Sequence, residues 1–168
     1  GKFHLSFGAE GAVILTVLEH LSPRPGVNVT AYNAAGRQLF TRSIEGYDPR
    51  AAISADGKAI AVSFRRKLAH KDKSVMERRV ALWDISGRTV WEQGGLFFKP
   101  VLQGLTDSPF GVLLAEDYTL LSAVDGKGRL AWRGPELPGR IVGLTHDDAW
   151  KIAWAQYTNG TLELWRPG

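Results

Sequence analysis

Short apolar segments alternate with polar turns along the whole chain of 168 residues, and no stretch keeps a helical period over ten residues. Four times an apolar segment, a polar turn and a second apolar segment follow one another, as in ISADGKAIAVSF at residues 53–64. A second hairpin-like stretch comes after each pair, as in RRVALWDISGRTVWEQ at residues 78–93. The pattern predicts an all-β chain built from repeated antiparallel units.

The second hairpin of each unit carries a turn glycine in near register. These glycines are Gly36, Gly87, Gly128 and Gly168, which are 51, 41 and 40 residues apart. In the first three copies, Asn or Asp stands three residues earlier, where its side chain accepts hydrogen bonds from N–H groups of the turn. The glycine takes the positive-φ position that closes such a hairpin. The aromatic residues four positions after the glycine are Phe40, Trp91 and Trp132. We expect their rings to pack between neighbouring units.

A period near 40 residues with four strands in each unit is typical of β-propeller blades. We therefore predict a single β-propeller segment of four blade-like repeats, the last of which lacks its outer strand. The predicted blades are residues 3–45, 49–93, 98–134 and 140–168. Three arrangements stay open: part of a larger ring, half of an eight-bladed homodimer, or a small four-bladed ring. An unclosed stack is expected to expose apolar faces on its first and last blades.

The segment SADGKAIAVSF (54–64) followed by VALWDISGRTVW (80–91) resembles the repeats of WD40-like and quinoprotein-like (PQQ-type) propellers. The shared features are an SxDGxxIA strand pair and a D-x-x-G-[RK]-x-x-W hairpin. The resemblance implies a propeller fold over essentially the whole chain. It implies no particular activity, since propellers carry many unrelated functions.

Composition narrows the chemistry that the chain can perform. It has no cysteine, which excludes disulfides, thiolate zinc sites and a cysteine nucleophile. We find no nucleophile elbow and no metal-ligand spacing, and we expect a non-catalytic module without cofactor or metal. The chain starts at Gly1 without an initiator Met, so we expect a processed protein or an excised domain. The compartment stays open, with an extracytoplasmic bacterial location slightly favoured.

The formal charge of +4 is concentrated in one segment, residues 65–79. Its acidic residues are Asp72 and Glu77. Its basic residues are Arg65, Arg66, Lys67, Lys71, Lys73, Arg78 and Arg79. We predict a long loop between the second and third strands of blade two. We place it on the same face as the long connection of blade one, residues 18–28, which carries Arg24. This face is expected to bind an acidic protein partner, and the segment lacks the interleaved aromatics of a nucleic-acid site.

Trp150 and Trp154 lie in the last blade away from the repeat position, and we expect them to contact a partner or cover the open edge. The favoured function is a non-catalytic protein–protein interaction scaffold, with a homo-oligomer or the remaining blades of a larger ring as further partners. One alternative is a small-ligand sensor or quinoprotein-like enzyme fragment, using a channel whose first strands offer mainly His4 and Arg140 as polar groups. The other is a substrate-recognition propeller belonging to a larger enzyme.

Overall fold

The computed structural model describes most of the chain. The described ranges are residues 3–7, 13–20, 26–54, 57–70, 73–95, 100–105, 112–116, 120–136, 139–147 and 152–165. Within these ranges every regular element is a β-strand, so the all-β prediction is confirmed. The same part of the chain contains no helix of the length and apolarity needed to cross a membrane.

Fifteen strands in the described ranges form four antiparallel sheets in chain order. The first sheet contains β1 (Phe3–Phe7), β2 (Val13–His20), β3 (Gly26–Asn33) and β4 (Gln38–Glu45). The second contains β5 (Tyr47–Ile53), β6 (Ala59–His70), β7 (Lys73–Asp84) and β8 (Thr89–Gly95). The third contains β9 (Pro100–Leu105), β10 (Val112–Glu116), β11 (Leu120–Val124) and β12 (Leu130–Glu136). The fourth contains β13 (Ile141–Asp147), β14 (Ile152–Tyr157) and β15 (Leu162–Trp165).

The apolar core lies between the sheets, because each sheet packs a face against its neighbour in the chain. On β6, Ile60 and Val62 point toward the first sheet and join a cluster with Val27 and Val29 of β3. The intervening Ala61 points the other way and joins a cluster that includes Val124 of the third sheet. Side chains of a strand alternate between its two faces, so a strand buried on both sides reads as a continuous apolar run. That burial explains the sequence AIAVSF in β6.

The turns between the third and fourth strands of the first three sheets share one geometry. Gly36, Gly87 and Gly128 have φ values of +75°, +81° and +79°. In each turn the Asn or Asp three residues earlier accepts two backbone N–H bonds, as Asp84 does from Ser86 and Arg88 at 3.0 and 3.1 Å. A hydrogen bond from the Ser86 hydroxyl is the largest influence on the pKa of Asp84, which falls to about 2. The turn chemistry predicted from the sequence is confirmed for these three copies.

Aromatic rings of one sheet rest on the turn glycine of the next. A Cβ atom added to Gly87 would lie 2.7 Å from Cδ2 of Phe40, so the ring of the first sheet occupies the space that a side chain would need. Arg42, two residues further along β4, donates to the Gly87 carbonyl at 2.9 Å and to Thr89 Oγ1 at 2.7 Å. Its guanidinium also lies 4.4 Å from the ring centroid of buried Trp83, within cation–π range.

The junction between the second and third sheets repeats this arrangement. A Cβ atom on Gly128 would lie 3.1 Å from two ring atoms of Trp91. Gln93, two residues after Trp91, donates to the Gly128 carbonyl as Arg42 does to that of Gly87. Phe40 and Trp91 thus pack between neighbouring sheets, as predicted. The ring of Trp132 and the whole of Gly168 lie outside the described residues. A further positive-φ turn stands at Gly160 instead, with φ of +84°.

The described side chains on the outer sides of the first and fourth sheets differ in polarity. On the outer side of the first sheet, Thr30 and Thr41 hydrogen-bond across the strands at 2.9 Å, and Ser43 donates to Asn28 at 2.7 Å. These residues of β3 and β4 form a polar part of the first face, because their hydroxyl and amide groups hydrogen-bond to one another. The side chains of β1 and β2 that complete that face lie outside the described residues, so the expectation of an apolar first face stays a prediction. In the fourth sheet, Leu162 and Leu164 are exposed on the same face as Trp154, as the pairing of β14 with β15 places them.

We predict that Gly87→Ala destabilises the protein more than Gly36→Ala does. Both substitutions place alanine at positive φ, which costs about 1 to 2 kcal/mol. Gly36 has open space around its added Cβ, whereas Gly87 meets the Phe40 ring, which adds about 1 to 3 kcal/mol of overpacking. Urea denaturation of the two variants measures the difference. Equal midpoints would show that the ring does not rest on the glycine.

Candidate functional site: the basic ribbon

The basic segment is a β-ribbon, so the prediction of a connecting loop is wrong. β6 and β7 stay paired from Ala59↔Asp84 to His70↔Lys73, because cross-strand partners such as Arg66↔Glu77 and Leu68↔Val75 continue the ladder. Among the described residues, β5 pairs with β6 only as far as Arg65, and β8 pairs with β7 only as far as Arg78. Beyond those positions two strands project past the four-stranded sheet. We call residues 65–79 the basic ribbon.

On one side of the basic ribbon, two arginines share two carboxylates. This side continues the face that packs on the first sheet, and we call it the first-sheet face. Glu77, only 4% exposed, accepts hydrogen bonds from Arg66 Nε at 3.0 Å and from Arg79 Nη1 at 3.0 and 3.1 Å. Arg79 Nε also donates to Glu92 of β8. Burial alone lowers the pKa of Arg79, but the bonds to Glu77 and Glu92 outweigh it and leave that pKa above its ordinary value.

On the opposite side, two arginines share one carboxylate. This third-sheet face continues the Ala61 side of β6. Arg65 and Arg78 are direct cross-strand partners, and both approach Asp48 Oδ2, at 3.6 Å from Arg65 Nε and 3.8 Å from Arg78 Nη2. These distances exceed the usual length of a charge-assisted hydrogen bond. The third-sheet face therefore holds a looser and more positive cluster than the first-sheet face.

Asp48 is held in a strained conformation. Its φ of +49° makes it the one non-glycine residue with positive φ in the part of the chain that the structure describes. Such a conformation costs about 1 kcal/mol or more and needs support from its surroundings. Glu19 of β2, 6% exposed, accepts a hydrogen bond from the Asp48 backbone N–H at 2.6 Å. The first sheet thus fixes the backbone that carries the Asp48 carboxylate.

Four of the residues that were predicted to bind a partner lie in two ion-pair clusters. Arg66 and Arg79 share one cluster, and Arg65 and Arg78 share the other. Lys67 is exposed on the third-sheet face, two residues beyond Arg65 along β6. Trp154 is half-buried in the fourth sheet, which is separated from the basic ribbon by the third sheet. Lys73 is in β7, but its side chain lies outside the described part of the structure. Arg24, Lys71 and Trp150 lie outside the described residues altogether.

The two clusters also contain acidic residues from outside the segment 65–79, and the sequence analysis did not predict these residues. Asp48 and Glu92 come from strands flanking the basic ribbon, and Glu19 comes from the first sheet. The dipeptide Asp48-Pro49 marks a turn, which is a usable local signal. No local sequence signal relates that turn to Arg65 and Arg78, since the contact depends on how β5 pairs with β6.

The described residues contain no group of three or more His, Asp or Glu side chains placed to hold a metal ion. The alternative channel site rested on His4 and Arg140. Arg140 is exposed just before β13, and His4 is in β1, with its side chain outside the described set.

The stacked four-stranded sheets define a partial β-propeller, and solved structures confirm that fold. The chain is similar to BamB from Moraxella catarrhalis, with a TM-score of 0.59 and 14% sequence identity over 99% of this chain and 43% of that one. It is also similar to a structure of the Dos1 propeller, with a TM-score of 0.64 and 12% identity over 96% of this chain and 40% of that one. The chain thus spans less than half the length of these propellers. A scan against protein-family models and a search of curated proteins found no match.

We predict that Glu77→Gln lowers the free energy of unfolding by about 2 kcal/mol, because it leaves Arg66 and Arg79 without their shared buried charge. The loss is smaller than for a fully buried pair, since the Arg66 side chain is 39% exposed. Glu92→Gln is the matched control and should cost less than about 1 kcal/mol, since the Glu92 side chain is 30% exposed. Urea denaturation measures both. A Glu77→Gln variant as stable as the parent would contradict the shared pairing.

Proposed function

We propose that the chain is a non-catalytic protein-interaction module and that its basic ribbon binds an acidic segment of a partner protein. The observation that carries the proposal is the projection of the ribbon beyond its sheet. Among the described residues, the ribbon offers a partner its side chains and strand edges that no neighbouring strand covers, while its base is paired within the four-stranded sheet.

Charge supports an acidic partner even after the internal ion pairs are taken into account. The sequence of the ribbon contains seven basic residues and two acidic residues, Asp72 and Glu77, and two further acidic residues, Asp48 and Glu92, pair with it from flanking strands. An excess of three positive charges is left on a narrow projection. Such a concentration attracts an acidic segment and speeds its association.

Exposure supports the same proposal. Lys67 is exposed, and the side chains of Arg65 and Arg66 keep 40% and 39% of their surface accessible although each pairs with a carboxylate. Met76, the cross-strand partner of Lys67, is 45% exposed. A flexible thioether beside charged side chains suits a surface that adapts to a peptide.

The ribbon can be shortened without removing either ion-pair cluster at its base. In the test variant, residues 67–76 are replaced by Asn-Gly, so that Arg66 and Glu77 close a two-residue hairpin turn. The probe is a fluorescein-labelled peptide of alternating Glu and Val. Its counterpart with Lys in place of Glu is the charge control.

We predict that the parent protein binds the Glu peptide and that the shortened variant binds it at least about tenfold more weakly, a difference of about 1.4 kcal/mol. Fluorescence anisotropy gives both dissociation constants. Affinity should fall between about 0.05 and 0.5 M salt, because exposed charges are screened. Equal affinity of the two proteins would contradict the proposal. Binding of a single-stranded oligonucleotide of equal charge as tightly as the peptide would also contradict it.

A further inference from the structure

We infer that Arg65 and Arg78 form a binding site for a carboxylate side chain on the third-sheet face of the basic ribbon. This inference rests on the proposed function and assigns the contact at which an acidic segment is recognised. The ligand is an Asp or Glu side chain of an extended acidic peptide.

A pair of like charges lies at the base of the basic ribbon. Arg65 and Arg78 stand directly opposite each other in the β6–β7 register and therefore on one face. Like charges in this position repel and destabilise a strand pair unless an anion lies between them. Asp48 supplies one negative charge for two guanidinium groups. Among the described residues, Asp48 is the one carboxylate within 4 Å of these two guanidinium groups, and the side chains of Arg78 and Asp48 are 18% and 22% exposed.

The two faces of the basic ribbon differ in the number and distance of the described carboxylates that pair with their arginines. On the first-sheet face, Arg66 and Arg79 have two carboxylates, and Glu77 bonds to both at 3.0 Å. On the third-sheet face, the two arginines have one carboxylate at 3.6 and 3.8 Å. The same pair of strands thus completes one arginine pair and leaves the other with unused N–H donors. A second carboxylate is the group that would make the two faces equivalent.

Two buried hydrogen-bond donors lie on the third-sheet side of β6, namely Arg65 Nε and the Ser63 hydroxyl. Arg65 Nε is buried and has no hydrogen-bond partner among the described residues. Ser63 precedes Arg65 by two positions on the same side of β6, is 1% exposed, and its hydroxyl likewise has no partner within the described ranges. Buried donors in native proteins nearly always have an acceptor. Among the described residues, Asp48 therefore does not complete the hydrogen bonding of the Arg65–Arg78 pair.

The surroundings favour a peptide as the source of that carboxylate. From Arg65 and Arg78, the same face continues through Lys67 and Met76 to Ala69 and Ser74. An extended segment lying along this face would place one acidic side chain between the arginines and another near Lys67. Its apolar side chains would meet Met76.

The test compares Arg65→Gln and Arg78→Gln with Arg88→Gln. Arg88 is an arginine of the same sheet at its opposite end, with an 82% exposed side chain, so it provides the same charge change outside the site. The probe is again the alternating Glu–Val peptide, together with a series in which each Glu is replaced singly by Gln. Anisotropy gives the affinities, and urea denaturation gives the midpoints.

We expect Arg65→Gln and Arg78→Gln each to weaken peptide binding at least about tenfold, while Arg88→Gln binds as the parent does. One of the Glu→Gln peptides should bind the parent protein more weakly than the unchanged peptide does. The Arg65→Gln variant should bind that same peptide and the unchanged peptide equally tightly. The urea midpoints of both variants should not fall, since each leaves a single Arg–Asp48 pair. A merely structural role for the arginines would lower those midpoints and would overturn the inference.

The remaining outcomes separate this inference from the proposed function. Loss of binding in the shortened ribbon, with unchanged binding in both Arg→Gln variants, overturns the carboxylate site and leaves the proposed function in place. Absence of peptide binding by the parent protein overturns both. Competition by inorganic phosphate as strong as that of the unlabelled peptide overturns the peptide as the ligand.

Discussion

The fold depends on the contact between a turn glycine and the aromatic ring of the preceding sheet. Phe40 on Gly87 and Trp91 on Gly128 are two copies of this contact, and each is accompanied by a side-chain donor to the glycine carbonyl. At these two junctions the ring fits because the glycine has no Cβ, so the contact sets how closely the neighbouring sheets approach there.

The two faces of the basic ribbon differ in how closely their arginines are paired with carboxylates, and the proposed function depends on this difference. On the first-sheet face, Glu77 and Glu92 pair closely with the two arginines, whereas on the third-sheet face Asp48 lies 3.6 and 3.8 Å from Arg65 and Arg78. The strained Asp48 is held between the two sheets by Glu19, so the looser cluster is built into the junction.

The repeat was predictable from the sequence because its signals are local. Each hairpin is indicated by a pattern of eight residues. Asp or Asn comes first, the turn glycine follows three residues later, and an aromatic residue comes four residues after the glycine. The length of β6 and β7 was not predictable in the same way: the charged run resembles a loop, and only the register Arg66↔Glu77 makes it a ladder. The acidic partners Asp48 and Glu92 come from flanking strands, and their contacts depend on strand pairing across the sheet. Local sequence carries no record of those contacts.

The proton spectrum of Gly87 tests the contact between turn glycine and aromatic ring most directly. If the Phe40 ring lies on this glycine, one Gly87 Hα is shifted upfield by the ring current and shows nuclear Overhauser contacts to the Phe40 ring protons. Gly36 shares the turn geometry but has open space around it, so its Hα protons should show neither effect. Gly87 Hα signals resembling those of Gly36, without contacts to Phe40, would contradict the account of how these sheets are joined.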